Sequence, residues 1–213
     1  MGTPPRRPNN HGPVTTEAHA SAPPSGGLRA LDDPPGGVLL WIVVALELTT
    51  FAMVLGAIAY LRGSETAMFR EGVAAMHPTA GLALTLSLVT SGALAAEGVH
   101  AFRGAALTRA RRCFGGAAAV GMVFLALKLL DYREKLSAGH TVGASDFWNA
   151  YYFGTGLHFV HVVVGVVMLA LVGRKIGRGD FDDAETAVAG TALFWHMCDL
   201  VWFFLFPLFF ARF

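Results

Sequence analysis

Ionisable side chains stand out in the stretch FWHMCDLVWFFLFPLFF, residues 194–210, which is otherwise rich in aromatic and apolar residues. His196 and Asp199 are three residues apart, so on a helix they lie on one face. Burying an ionisable group in apolar surroundings is costly unless the group finds a partner. An imidazole and a carboxylate can pair with each other, exchange a proton or bind a metal ion, so this stretch is a candidate functional site.

Further ionisable residues occur inside the other apolar stretches. Five residues fall near the middle of their stretches, and we name them the polar seam: Glu47, His158, His161, His196 and Asp199. A secondary group lies closer to the ends of the stretches and comprises Glu97, His100, Lys128 and Asp131. All of these residues except Glu47 form i,i+3 pairs, each on one helix face. Lys128 is near enough to a stretch end for its ammonium group to extend to the lipid headgroups.

Four interpretations of the polar seam are compatible with the sequence. The first, which the sequence favours, is a set of structural hydrogen bonds between helices. The second is a proton or lipid-headgroup site around Glu47. The third is a metal site, but the only Glu-x-x-His motif is Glu97–His100, whereas a di-iron bundle needs two at one depth. The fourth is haem ligation by His158 and His196. We therefore predict no metal ligand and no catalytic residue in this chain.

The segments that must position these residues are apolar enough to cross a membrane. The chain has 213 residues, 54% of them hydrophobic, and its mean hydropathy is +0.52. A membrane-spanning helix needs about 20 mostly apolar residues. Five stretches qualify: Val38–Leu61, Thr79–Ala101, Cys113–Tyr132, Phe147–Gly173 and Ala187–Ala211. The predicted fold is therefore all-α, an integral membrane bundle of five transmembrane helices within residues 37–213.

The distribution of charge predicts the orientation of this bundle. The formal net charge of +1 gives no indication of nucleic-acid binding. The N-terminal segment and the two loops on its side hold ten Lys and Arg residues, against five on the other side. Because Lys and Arg are enriched on the cytoplasmic side, we expect a cytoplasmic N-terminus and an external C-terminus. Residues 1–36 contain eight of the ten prolines, and we predict a disordered cytoplasmic tail there.

The composition of two spans also predicts how they pack. The second span is dense in Gly, Ala, Ser and Thr, which allow the backbones of neighbouring helices to approach closely. In the last span Trp195 and Trp202 are seven residues apart and therefore nearly on one face. We expect these two indoles to form a wall that faces lipid or a partner protein.

Several of these stretches resemble subunit III of haem–copper oxidases. FWHMCDLVWFFLF resembles the W-H-x-x-D-x-x-W signature of that family's last helix, and FGTGLHFVHVVVG resembles its T-G-x-H-x-x-H-V-x-x-G helix. ALELTTFAMVLGAIAY resembles its helix with a membrane-buried glutamate, which corresponds to Glu47. LALKLLDYREK resembles its E-Y helix ending, with Asp131 in place of the usual glutamate. The stretches follow the family's order, although its longer members have seven spans.

The resemblance implies a short, five-helix member of the cytochrome c oxidase subunit III family without redox centres of its own. Such subunits pack beside catalytic subunit I, which holds haem and copper, bind phospholipid between helices, and support proton uptake and durable turnover. In that family the glutamate at the position of Glu47 is buried and reacts with carbodiimides. The implied location is a bacterial inner membrane, with subunit I and membrane lipids as partners and no nucleic acid.

Two alternatives to an oxidase subunit stay open at this point. Five-span relatives include an accessory protein of nitric oxide reductases, towards which Met197 and the LFPLFF ending lean. The other alternative is a free-standing transporter or a b-type cytochrome. A coloured protein on isolated purification would indicate the cytochrome, whereas substrate flux in vesicles would indicate the transporter.

Overall fold

The computed structural model describes residues 1–2, 37–178 and 183–211. These residues form six α-helices: α1 (Gly37–Ser64), α2 (Thr66–Ala74), α3 (Pro78–Arg103), α4 (Leu107–Ser137), α5 (Asp146–Arg178) and α6 (Ala184–Phe210). All except α2 are long and apolar enough to cross a membrane, and no strand occurs in the described ranges. The predicted all-α fold with five spans is therefore confirmed. The tail predicted over residues 1–36 lies outside the described residues, apart from Met1 and Gly2.

The helices run further than the apolar stretches predicted. The third span was expected from Cys113, but α4 begins at Leu107, and α5 continues to Arg178. Hydropathy marks only the part of a helix that fits the hydrocarbon, whereas Arg and Lys are good helix formers that extend a helix into the polar region. The nine-residue α2 was not predicted, because this helix is too short and too polar to qualify as a membrane span.

Four of the long helices close into a ring, and α1 packs on its outside. In the ring α3 packs against α4, α4 against α5, α5 against α6, and α6 back against α3. The first helix packs mainly against α6 and less extensively against α5. Its buried residues recur every seventh position, at Val44, Phe51 and Ile58. Such a narrow stripe leaves most of the apolar surface of α1 facing outward, which suits a helix surrounded by lipid.

Trp195 and Trp202 lie inside the ring, so the predicted lipid- or partner-facing wall is wrong. Their relative exposures are 0% and 1%. A methyl group added at Gly121 of α4 or Gly165 of α5 would collide with the Trp195 ring, so both glycines make room for it. The indole Nε1 of Trp202 donates a hydrogen bond of 3.0 Å to Thr85 Oγ1 on α3. The shared helix face of the two indoles is thus the inner face of α6.

The small residues of α3 pack closely against α4, as predicted. Ser91 and Gly98 are buried. A methyl group added at Gly98 would collide with Phe114 of α4, and the Ser91 hydroxyl donates to the carbonyl of Ala117 over 2.7 Å. The short side chains therefore allow a side chain of one helix to reach the backbone of the next.

Arg62 ties the end of α1 to the end of α6. Its guanidinium donates to the carbonyl oxygens of Pro207, Leu208 and Ala211, over 2.8, 2.7 and 3.0 Å. The last carbonyls of a helix have no donor within the helix, and their partial negative charge favours a cation. This contact fixes one end of a helix that is otherwise only loosely packed.

Candidate functional site

Glu47 of α1 and His161 of α5 form a pair at the contact between the two helices. The Glu47 Oε2 and His161 Nε2 atoms are 3.0 Å apart, and the side chains are 33% and 15% exposed. The Nδ1 atom of His161 lies 2.9 Å from the carbonyl oxygen of Leu157. A carbonyl oxygen only accepts, so Nδ1 must carry a hydrogen. The hydrogen between Nε2 and Oε2 can then belong to either residue, and the pair can hold one exchangeable proton.

His158 makes a different kind of contact, one turn away on α5. Its Nε2 atom lies 3.1 Å from the carbonyl oxygen of Cys198 and must therefore donate to it. The ring packs against Phe124 and Trp202, and its Nδ1 atom is buried with no partner among the described residues. His158 thus connects α5 to α6 through a single hydrogen bond.

His196 and Asp199 pair with each other on the side of α6 that faces α3. Their Nδ1 and Oδ2 atoms are 3.2 Å apart, and their side chains are 45% and 12% exposed. On α3 the pair faces Gly92, where an added methyl group would meet the Asp199 carboxylate. No hydrogen bond among the described residues joins this pair to Glu47 and His161. The structure therefore divides the polar seam into two separate pairs, with His158 between α5 and α6.

Lys128, Asp131 and Tyr151 form a cluster of buried polar groups, which we name the Lys128 cluster. The Lys128 Nζ atom lies 2.9 Å from Asp131 Oδ2 and 2.7 Å from the Tyr151 hydroxyl, and that hydroxyl also donates to Asp131 Oδ2. The ammonium group lies 4.7 Å from the ring centre of Tyr132 and 4.4 Å from that of Tyr151. The expected extension of Lys128 to the headgroups is wrong, because its side chain points at α5 and is only 1% exposed.

The remaining secondary residues lie at an exposed end of α3. Glu97 pairs with Arg109 of α4 over 2.8 Å, and these side chains are 38% and 67% exposed. An exposed ion pair contributes little to stability, about 0–1 kcal/mol. His100 is exposed one turn further on. Among the described residues, neither Glu97 nor His100 forms a hydrogen bond with a member of the polar seam.

A groove of about 960 Å³ opens between α1 and α5. Its apolar wall on α1 consists of Met53, Val54, Ala57, Ile58 and Leu61. Polar groups of α5 line it as well: Asp146, Asn149 and Tyr152. The groove thus combines a long apolar wall with a few polar groups near the start of α5.

The described residues offer little for a metal ion or a haem. Within 37–178 and 183–211, no three His, Cys, Asp or Glu side chains come together as metal ligands would. His158 already donates Nε2 to Cys198, and His196 is turned towards α3. The two histidines considered as haem ligands are thus directed at different neighbours.

Comparison with known proteins connects this geometry to a family. The family described as cytochrome c oxidase subunit III matches residues 41–211. The match includes all nine residues of the polar seam and the secondary group, and every helix that can span a membrane except the first four residues of α1.

The chain belongs to the cytochrome c oxidase subunit III family.

Individual relatives agree with this assignment. The chain is 29% identical to the cytochrome c oxidase subunit 3 of Thermostichus vulcanus over 176 residues, 81% of this chain and 84% of the relative. It is 27% identical to that of Corynebacterium diphtheriae over 139 residues, 65% of this chain and 68% of the relative. A heme-copper oxidase subunit I+III of Aeropyrum pernix is 25% identical over 178 residues, 80% of this chain and 22% of that relative.

This subunit III chain also has polar residues that sequence reasoning did not single out. Tyr151 completes the Lys128 cluster, Thr85 accepts from Trp202, and Arg62 binds the end of α6. A signal for Tyr151 was present, since it precedes His158 by seven residues and so shares its face of α5. Nothing in the local sequence around Thr85 indicates that an indole on another helix donates to it.

Proposed function

We propose that this chain is the non-catalytic subunit III of a haem–copper respiratory oxidase in a bacterial inner membrane. It packs beside catalytic subunit I, which holds the haem and copper, and its N-terminus lies in the cytoplasm. The observation that carries the proposal is the family match over residues 41–211, within which Glu47 pairs with His161 inside the membrane part. A relative named subunit I+III supports a lasting association with subunit I.

Within this assembly we assign a role in proton uptake to Glu47 and His161. The pair can exist as a carboxylic acid with an imidazole or as a carboxylate with an imidazolium, because Leu157 fixes only the other ring nitrogen. Both side chains are partly exposed on the surface of the bundle, so a group of a neighbouring subunit can reach them. The two forms differ only in the position of one proton between Nε2 and Oε2, so a proton can move within the pair without rearranging the helices, and we propose that the pair acts as one step of proton uptake.

Substitutions at Glu47 separate the proton role from the structural role. Glu47→Gln keeps a hydrogen bond to His161 but cannot release a proton. Glu47→Leu leaves the imidazole unpaired and is expected to destabilise the fold by about 1–3 kcal/mol. We expect both variants to lower proton uptake and shorten the active lifetime of the oxidase, with near-normal stability only in Glu47→Gln. Proton uptake in vesicles and detergent unfolding provide the two readouts, and normal proton uptake in Glu47→Gln would contradict the role.

We assign phospholipid binding to the groove between α1 and α5. Its apolar wall on α1 suits acyl chains, and Asp146, Asn149 and Tyr152 suit the polar part of a lipid. Since α1 is held mainly along a narrow stripe, a lipid in this groove would also fill the space between α1 and the ring.

Filling the groove tests the lipid assignment. Ala57 lines the groove and is exposed, so Ala57→Phe should exclude a lipid without disturbing the core. Ala59 is exposed on the same helix and does not line the groove, which makes Ala59→Phe a matched control. Native mass spectrometry of the purified oxidase should find fewer phospholipids only with Ala57→Phe. Equal lipid counts in both variants would argue against this groove as the site.

A further inference from the structure

Two phenyl rings from other helices lie against the imidazole of His161. The centre of the Phe51 ring on α1 is 5.0 Å from that of His161, and the two ring planes meet at 71°. The Phe194 ring on α6 is nearly parallel to the imidazole, at 18° and a centre distance of 6.3 Å. Both distances fall in the range of about 4.5–7 Å at which aromatic rings attract each other. The imidazole is therefore held by ring contacts as well as by its hydrogen-bond partners.

Phe51 and Phe194 are themselves fixed by packing. Their relative exposures are 1% and 7%, and Phe51 belongs to the narrow buried stripe of α1 together with Val44 and Ile58. A large side chain in a closely packed interior has little room to change its rotamer. The two phenyl rings therefore form a firm support for the imidazole.

Proton movement within the Glu47–His161 pair depends on the orientation of the imidazole. Rotation of a histidine ring about its Cβ–Cγ bond is only weakly restricted by the side chain itself, because this torsion has broad minima. Such a rotation would carry Nδ1 away from the Leu157 carbonyl oxygen, now at 2.9 Å, and Nε2 away from Glu47 Oε2, now at 3.0 Å. Glu47 adds little restraint, since its side chain is 33% exposed and α1 is peripheral. Rings that occupy the space around the imidazole supply the missing restraint.

We propose that Phe51 and Phe194 are positioning residues, which hold the imidazole of His161 in the one orientation that directs Nε2 at Glu47. This inference rests on the proposed proton role of the pair, but the orientation of the ring can be measured without that role. Through Phe194, α6 takes part in the geometry of a pair whose two members lie on α1 and α5.

Nitrogen NMR of the histidine rings tests the orientation directly. The full chain is labelled with ¹⁵N-histidine and reconstituted in lipid bilayers, and the His161 signals are identified by their loss in His161→Gln. We expect Phe194→Leu to raise the population of a second ring orientation, without the hydrogen bond from Nδ1, by about twofold to tenfold, since one aromatic contact is lost. Phe210→Leu is the control, because Phe210 is also buried on α6 but packs against Trp202 and Phe206.

Further variants keep the NMR test independent of folding defects. Phe194→Tyr retains a ring and should restore the original His161 signals, whereas Phe194→Met fills the space without a ring and should behave like Phe194→Leu. Phe51→Leu should shift the same equilibrium, and Ile58→Ala, in the same buried stripe of α1, should not. His161 signals of the ringless variants that match those of the controls would overturn the proposal.

Proton uptake by the purified oxidase in vesicles separates this proposal from the proton role itself. We expect Phe194→Leu to lower uptake by about twofold or more relative to Phe210→Leu, and Phe194→Tyr to restore most of it. If Glu47→Gln leaves uptake normal, the proton role fails, and the NMR signals alone decide whether the rings hold His161. If Glu47→Gln lowers uptake and Phe194→Leu matches Phe210→Leu, only the positioning role is wrong.

Discussion

Lys128 carries a positive charge in a buried position of α4. Taking an ammonium group out of water costs several kcal/mol unless its hydrogen bonds are replaced. Here Asp131 supplies the opposite charge, Tyr151 supplies a hydroxyl, and two tyrosine rings lie within 5 Å of the ammonium group. The cluster links α4 to α5 because Tyr151 belongs to α5. We therefore interpret it as a structural element of the bundle.

Replacing only one residue of the Lys128–Asp131 ion pair should lower the free energy of unfolding more than replacing both residues. Lys128→Met leaves the Asp131 carboxylate buried without its partner, so we expect the free energy of unfolding to fall by about 3–5 kcal/mol. The double variant Lys128→Met/Asp131→Leu should be more stable than the sum of the two single variants predicts. Unfolding in mixed micelles measures these differences, and Arg133→Met, on an exposed residue of α4, is the control. Additive losses would show that the two charges do not stabilise each other.

At the scale of single helices, the start of α6 depends on a titratable cap. The Asp183 carboxylate accepts a hydrogen bond of 3.1 Å from the backbone N–H of Thr186, and this bond lowers the pKa of Asp183. A lowered pKa means that the carboxylate form is stabilised in the folded chain. The stabilisation of the fold by this cap is complete above the ordinary aspartate pKa of about 3.9. It is lost as the pH falls through the lowered pKa of Asp183.

Acidification should therefore loosen the first turn of α6. We compare amide hydrogen exchange at Thr186 with that in Asp183→Asn, whose amide oxygen caps a helix but does not titrate. The ratio of exchange rates, unsubstituted chain over variant, should rise as the pH falls below about 4. This comparison removes the general pH dependence of amide exchange. A ratio that stays constant between pH 6 and pH 2 would rule out a titrating cap.

The helices themselves could be predicted well, because a membrane imposes one length and one composition on each span. The direction in which individual side chains point could not be predicted from the sequence. Within their membrane-spanning parts α4 and α6 are apolar on most sides, so hydropathy does not reveal that Lys128 and Trp195 point inward. The i,i+3 geometry predicted the contact between His196 and Asp199, which needs only one helix. The partner of Glu47 depends on how α1 packs against α5, and local sequence does not contain that information.

At the scale of the whole molecule, the structure joins a tightly packed ring to a peripheral first helix. The ring helices α3–α6 share the aromatic core and the Lys128 cluster, while α1 is held by a narrow stripe, the Glu47–His161 pair and Arg62. This division leaves the proposed lipid groove between α1 and α5, at the edge of the ring.

The central claim is that this chain is a subunit of a haem–copper oxidase. The most direct test is purification of the tagged chain from native membranes in mild detergent, with mass spectrometry and an absorption spectrum of the same sample. We predict recovery of a catalytic subunit I together with haem and copper. Recovery of a nitric oxide reductase catalytic subunit, or of a colourless chain without partners, would contradict the claim.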